Sequence, residues 1–153
     1  KSGVDAATNR GRVVPLQAPF RAFDTRDKDF GDAPLQARSS EEWSFANFAR
    51  SVVLNPGAAN EKKGPSQQGF IGDLIAVGLQ NPSGSGSYLQ LVPGGLTTRP
   101  LASNVNFGLG EAVPNMSLVK YGDNGADKHV IEAFNAFGSV DYILDVYAIV
   151  LAD

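Results

Sequence analysis

At 153 residues the chain has the length of one domain with one hydrophobic core, and its net charge of −3 withholds the clustered cations that phosphate backbones require, which argues against nucleic acid as a partner. Zero cysteines exclude disulfides, thiolate metal sites and cysteine nucleophiles together, and a single histidine excludes a histidine-rich metal centre. No apolar run reaches the roughly 20 residues a membrane-spanning helix needs, so no membrane partner is expected.

Seventeen glycines and nine prolines, gathered in clusters such as "QNPSGSGS", "LVPGG" and "YGDNG", leave few windows for a helix. The chain starts at Lys1 rather than Met, which reads as a stretch cut from a longer polypeptide. Residues 1–18 show little periodicity and read as an N-terminal arm, with a domain over 19–153. "FRAFDTRD" (20–27) then packs aromatics and opposed charges together, and "DKDFGD" (27–32) follows as a turn. "SSEEWSFANFARS" (39–51) is where a short helix competes with a strand, because Ser40 is a fitting cap and Trp43, Ala46 and Arg50 have helical spacing.

Short segments rich in branched and aromatic residues come next: "SVVLN" (51–55), "FIGDLIAVGLQ" (70–80), "SYLQLV" (87–92), "SNVNF" (103–107), "MSLVKY" (116–121), "KHVIEAFN" (128–135) and "VDYILDVYAIVL" (140–151). Separated by turn signals, they predict an all-β, antiparallel β-sandwich of jelly-roll type. In the last segment Val140, Tyr142, Leu144, Val146, Ala148 and Val150 alternate onto one face. Asp141, Ile143, Asp145, Tyr147, Ile149 and Leu151 take the other. That second face turns apolar beyond Asp145, so cover is expected there from another layer or subunit, with Tyr147, Ile149 and Leu151 as the contact residues.

Candidate chemistry is sparse. His129 lies in a strand pattern, where a surface histidine explains it better than a catalytic triad. Asp27, Asp29 and Asp32 invite a calcium reading, but an EF-hand loop counted from Asp27 places Arg38 where a bidentate glutamate belongs. "GDNGAD" (122–127) suits a hairpin connection. "GSGS" (84–87) lacks the third glycine and following helix of a dinucleotide loop. "NEKKGPSQQG" (60–69) reads as a loop rather than a phosphate cradle. Asp141 and Asp145 would stand roughly 13 Å apart along a strand, too far for paired glycosidase carboxylates. Trp43, Phe45, Phe48, Tyr88, Tyr121, Phe134 and Phe137 are available to stack on sugars, against the competing demand of the core. No cofactor, no metal and no enzymatic activity are expected.

The motifs carry more in order than singly: "FRAFDTR", "SVVLN", "YLQLVPGG…RPLASNVNFGLGEAVPNMSLVKYG" and "FGSVDYILDVYAIV". Together, over residues 20–150, they resemble a β-sandwich module of tailed-phage virion proteins, especially of phages infecting actinobacteria, and of secreted actinobacterial surface proteins. Arg21, Asp24, Thr25 and Arg26 match its opening motif. Pro100, Ser103, Asn104, Asn106 and Phe107 match the central one, Val113 and Asn115 the next, and Asp145 and Val146 the closing one. Tyr147 and Ala148 depart from the glycine and aromatic that usually follow, and no catalytic residue comes with the resemblance.

A structural role then fits the Asp-Thr-Arg stretch. Asp24 accepts from backbone amides in a turn while Arg26 or Arg21 forks onto Asp145, so that Arg21, Asp24, Arg26 and Asp145 bracket the first and last strands. The resemblance implies a non-enzymatic virion protein on the particle surface, decorating the capsid as a homo-oligomer, by preference a trimer, bound to the major capsid protein or other virion subunits. The alternative is a module binding host-surface glycan on a phage tail, fibre or secreted wall protein.

Overall fold

The computed structural model describes residues 11–30, 33–45 and 67–152. Its strands are β1 (Val13–Asp24), β2 (Ser39–Ser44), β3 (Gln67–Gln80), β4 (Gly86–Pro93), β5 (Val105–Gly108), β6 (Ala112–Lys120), the short β7 (Gly122–Asp123), β8 (Lys128–Asn135) and β9 (Ser139–Leu151). A 3-10 turn at Lys28–Phe30 is the only helical element among the described residues, where no helix is long and apolar enough to cross a membrane.

One sheet runs β1-β9-β3-β6 and the other β2-β8-β4-β5, with β7 continuing along β8. The antiparallel partners β1 and β9, β2 and β8, β3 and β6, and β4 and β5 are those of one long hairpin, outward through β4 and back through β9. Wrapping that hairpin so that successive strands alternate between sheets gives the jelly roll, a β-sandwich as the segment pattern predicts.

Period-two patterning decides what enters the space between the sheets. In β3, Phe70, Leu74 and Ala76 are fully buried, while Ile71, Asp73, Ile75 and Val77 face outward. Facing them are Leu89, Ile131 and Ala133 of the other sheet, also fully buried. Phe23 stacks on Trp43 and meets Tyr142 edge-on, each at 5.0 Å between ring centroids. The buried Tyr142 hydroxyl donates to Glu41 (2.8 Å) and accepts from Trp43 Nε1 (2.8 Å), so a polar atom sits in the core without an unmet bond. Asn135, 0% exposed, donates to the carbonyls of Leu35 and Gly138 and accepts from Ser87.

Three differences from the sequence reading have physical causes. Residues 39–44 form β2 rather than the start of a helix, because pairing with β8 along its whole length engages one edge of its backbone and turns Trp43 onto Phe23; residues 46–51 lie outside the described residues, as does "SVVLN". β1 begins at Val13, so residues 13–18 belong to the sheet rather than to an arm, and residues 1–10 are outside the description.

The third difference is in β9. Ile71 pairs with Ala148 and Gly72 with Val146, which leaves Tyr147 as a bulge residue and reverses the alternation beyond it. Ile149 (1% exposed) and Leu151 (6%) therefore turn inward, and Ala148 and Val150 take the outer side.

The bulge needs Gly72: a Cβ there would stand 2.5 Å from the Asp145 carbonyl oxygen, a backbone atom with no freedom to retreat. Gly72→Ala is expected to destabilise by about 1–3 kcal/mol, whereas Gly84→Ala, where a Cβ meets nothing within 4 Å, stays near the parent. Urea midpoints of the two variants against the parent check this.

Candidate functional site

Strand register assembles the outer face of the β1-β9-β3-β6 sheet. One row crosses all of its strands: Arg21 opposite Asp145, Asp145 opposite Asp73, and Asp73 opposite Met116. The rows on either side are mainly apolar. Ile143, Ile75 and Pro114 form one, with Asp24 at its β1 end; Pro15, Ala148, Ile71 and Leu118 form the other. Met116 and Leu118 are 68% and 70% exposed, and Val13 is exposed on the same face, which is therefore largely apolar around the charged row, with Asp141 and Lys120 in the rows farther out.

Two carboxylates directly opposite on neighbouring strands repel. The stripe answers each separately. Arg21 forks onto Asp145, with Nε 2.9 Å from Oδ1 and Nη2 3.0 Å from Oδ2. The Tyr147 hydroxyl, placed by the bulge, donates to Asp73 Oδ2 at 3.1 Å, and this bond holds the exposed phenol above its ordinary pKa.

Arg21 also reaches back to Asp24 through Nη1 (3.3 Å to Oδ2). Asp24, 6% exposed, accepts from Arg26 three times: backbone N (3.1 Å) and Nε (2.8 Å) on Oδ1, and Nη2 (2.7 Å) on Oδ2. The order of the ionic chain is thus Arg26, Asp24, Arg21, Asp145. It is Arg21 that reaches the last strand, while Arg26 closes locally on Asp24. The Arg26 guanidinium holds the Asp24 carboxyl below the usual carboxylate range, against the opposing effect of burial. Hydrogen bonding to Asp145 raises Arg21 further above its already high value.

Thr25, between the two, was missed as a site residue. It is 2% exposed; its backbone N donates to the Tyr142 carbonyl (3.1 Å), and its hydroxyl donates to Asp141 (2.9 Å) and accepts from the Tyr142 amide (3.0 Å). Flanked by Asp24 and Arg26, Thr25 carries no local sequence signal for such a backbone clasp, because its partner is set by register. Asp73 and Asp141 went unassigned for the same reason.

The other sequence candidates are placed as follows. Of the expected contact residues, only Tyr147 is exposed (37%). Asp141 and Asp145 are engaged by Thr25 and Arg21 respectively. Asp27 accepts from the Asp29 amide (3.0 Å) in a tight turn, and Asp32 lies outside the described residues, among which no cluster of metal-ligating side chains occurs. Asn124 accepts from the amides of Ala126 and Asp127, closing the 122–127 turn.

His129 has φ +57° beside a register shift in β8 and meets Tyr121 edge-on at 5.4 Å. Asn104 spans the two sheets, accepting from the Leu91 amide (2.7 Å) and donating to Ser117 (3.3 Å). Among the aromatics, Trp43, Phe45 and Tyr121 belong to the core and its margin, and Phe48 lies outside the described residues. Tyr88, Phe134 and Phe137 lie toward the outside of the second sheet.

No protein-family model, curated protein or solved structure matches the chain.

Replacing Asp24 by Asn keeps the shape and deletes the charge. At pH 7 the expected cost is about 1–2 kcal/mol, below that of a fully buried pair because Arg21 and Arg26 are each half exposed. A carboxylate whose pKa is lowered by folding contributes fully above its unfolded value near 3.9. That contribution disappears as pH falls through the depressed folded value. Parent and Asp24→Asn stabilities, measured by urea titration, should therefore differ at pH 7 and converge on acidification below about pH 4.

Proposed function

We propose that this chain is a non-enzymatic structural protein of a tailed-phage particle, sited on the particle surface. It decorates the capsid as a homotrimer and binds neighbouring capsid subunits. The observation that carries the reading is the outer face of the β1-β9-β3-β6 sheet, where Met116 and Leu118 stand exposed beside an apolar row and the Arg21–Asp145–Asp73 stripe. Exposed apolar rows of this kind mark contact surfaces, and a charged stripe within one fixes how the surfaces align. A second copy of the chain is the occupant chosen here. The jelly roll is a fold of viral capsid proteins, which adds support by analogy only. The resemblance of the ordered motifs to phage virion modules points the same way. Support for an assembly role rather than turnover comes from the carboxylates: Asp24, Asp141, Asp145 and Glu132 each hold a partner in the framework.

Light scattering on the purified chain is expected to give a trimer mass at tens of micromolar, roughly the range where modest interfaces assemble. Met116→Asp combined with Leu118→Asp should give a monomer with an unchanged circular dichroism spectrum. The parent, but not the double variant, should co-sediment with tailed-phage heads stripped of their surface proteins. A parent chain that stays monomeric and ignores such heads would overturn the reading.

A further inference from the structure

On the outer side of the second sheet, two adjoining hollows of about 480 and 430 Å³ share Tyr88. The first is bounded by Ser85, Asn106 and Phe137, the second by Gln90, Arg99, Ser103 and Phe134. Tyr88 lies 6.2 Å from Phe134, the rings tilted by 51°, and 6.4 Å from Phe137, the rings nearly perpendicular at 88°, so three aromatic rings line the two hollows at different angles. We propose that this trough binds a neutral oligosaccharide, with consecutive sugar rings seated on either side of Tyr88. The site goes beyond the assembly role and shares no residue with the surface assigned to it.

The chemistry of the lining selects that class. Aromatic faces carry negative charge density that attracts the weakly positive C–H face of a pyranose, while their apolar area rewards burial. Hydroxyl and amide side chains, Ser83, Ser85, Ser103 and Asn106, line the same hollows as the rings, the mix of apolar floor and sparse polar groups expected of a small-ligand site.

Charge decides against an ionic ligand. Arg99 is the only cation lining the trough among the described residues. It pairs with Glu132 and lies over the Phe134 ring, 4.0 Å from its centroid, so its charge is already answered. Gln90 is among the residues lining the second hollow, its amide held by the backbone beside it. It is 2% exposed, and its Nε2 donates to the carbonyls of Pro100 and Ala102, which fixes the amide so that Oε1 finds no donor among the described residues.

The test is titration of the full chain with neutral gluco-, galacto- and manno-oligosaccharides of three to six units, followed by NMR shifts and calorimetry. At least one should bind with Kd on the order of 0.1–1 mM, as suits an open site. Tyr88→Ala and Phe137→Ala should each weaken it about tenfold, the loss of one stacking ring, while Tyr88→Phe keeps most of the affinity. Circular dichroism shows whether the variants are folded, and Phe137, 38% exposed and outside the strands, is the safer of the two.

Binding measured in the Met116→Asp, Leu118→Asp background should match the parent, so that failure of the assembly role and failure of the trough are read separately. Four results would overturn the proposal: no neutral sugar bound at about 10 mM, preference for acidic sugars, binding indifferent to both aromatic truncations, or capture of a proline-rich peptide in place of any sugar.

Discussion

A jelly roll closes by laying its last strand beside its first, and everything in this molecule depends on β9 entering between β1 and β3 in one register. Joining segments more than 100 positions apart carries a loop-closure cost that the arriving contacts must exceed. Hydrophobic burial can reject a one-residue slip, which would turn Tyr142, Leu144 and Val146 outward. It discriminates poorly against a two-residue slip, which keeps the same faces. The fork of Arg21 onto Asp145 supplies the missing discrimination, since it spans about 3 Å and no slipped register preserves both of its bonds. Thr25 repeats the measurement a short way along, joining the Tyr142 amide and Asp141.

The two sheets share a core but present unlike exteriors. One is apolar around a stripe whose carboxylates are answered by a guanidinium and a phenol. The other is aromatic and hollowed, with the lining cation Arg99 answered by Glu132. Because the core is complete between the layers, either exterior is free to vary without disturbing the other, and a sandwich of this kind can carry two separate surfaces.

How much of this was legible in the sequence depended on whether the decisive interaction was local. β3, β4, β8 and β9 were legible because alternation and flanking turn residues are properties of each segment alone. Trp43 misled because helical spacing and strand alternation coincide over a short stretch, and only pairing with β8 separates them. The ionic set was legible as residue types, but which arginine met which acid was not: Arg21 and Arg26 flank Asp24 almost symmetrically in the chain, and only the pairing of Arg21 with Asp145 breaks that symmetry. Tyr88, Phe134 and Phe137 were legible as rings able to stack on sugars, but their grouping was not, since Tyr88, Arg99 and Phe134 meet only when β4 and β8 are side by side.

The bulge at Tyr147 also changes what the greasy end of β9 means. Apolar residues on both faces of a strand read as a demand for cover by a partner, yet Ile149 and Leu151 are satisfied within the chain because one extra residue rotates them inward. The demand for cover moves instead to β6, where Met116 and Leu118 project from the outer face. β6 is an edge strand with Pro114 in its pairing, and β1, at the other edge, carries Pro15 and Pro19. Proline has no amide hydrogen to offer an added strand, so both edges resist sheet extension. A partner of the kind proposed would then meet this sheet at its face rather than its rim, where the stripe of Arg21, Asp145 and Asp73 lies.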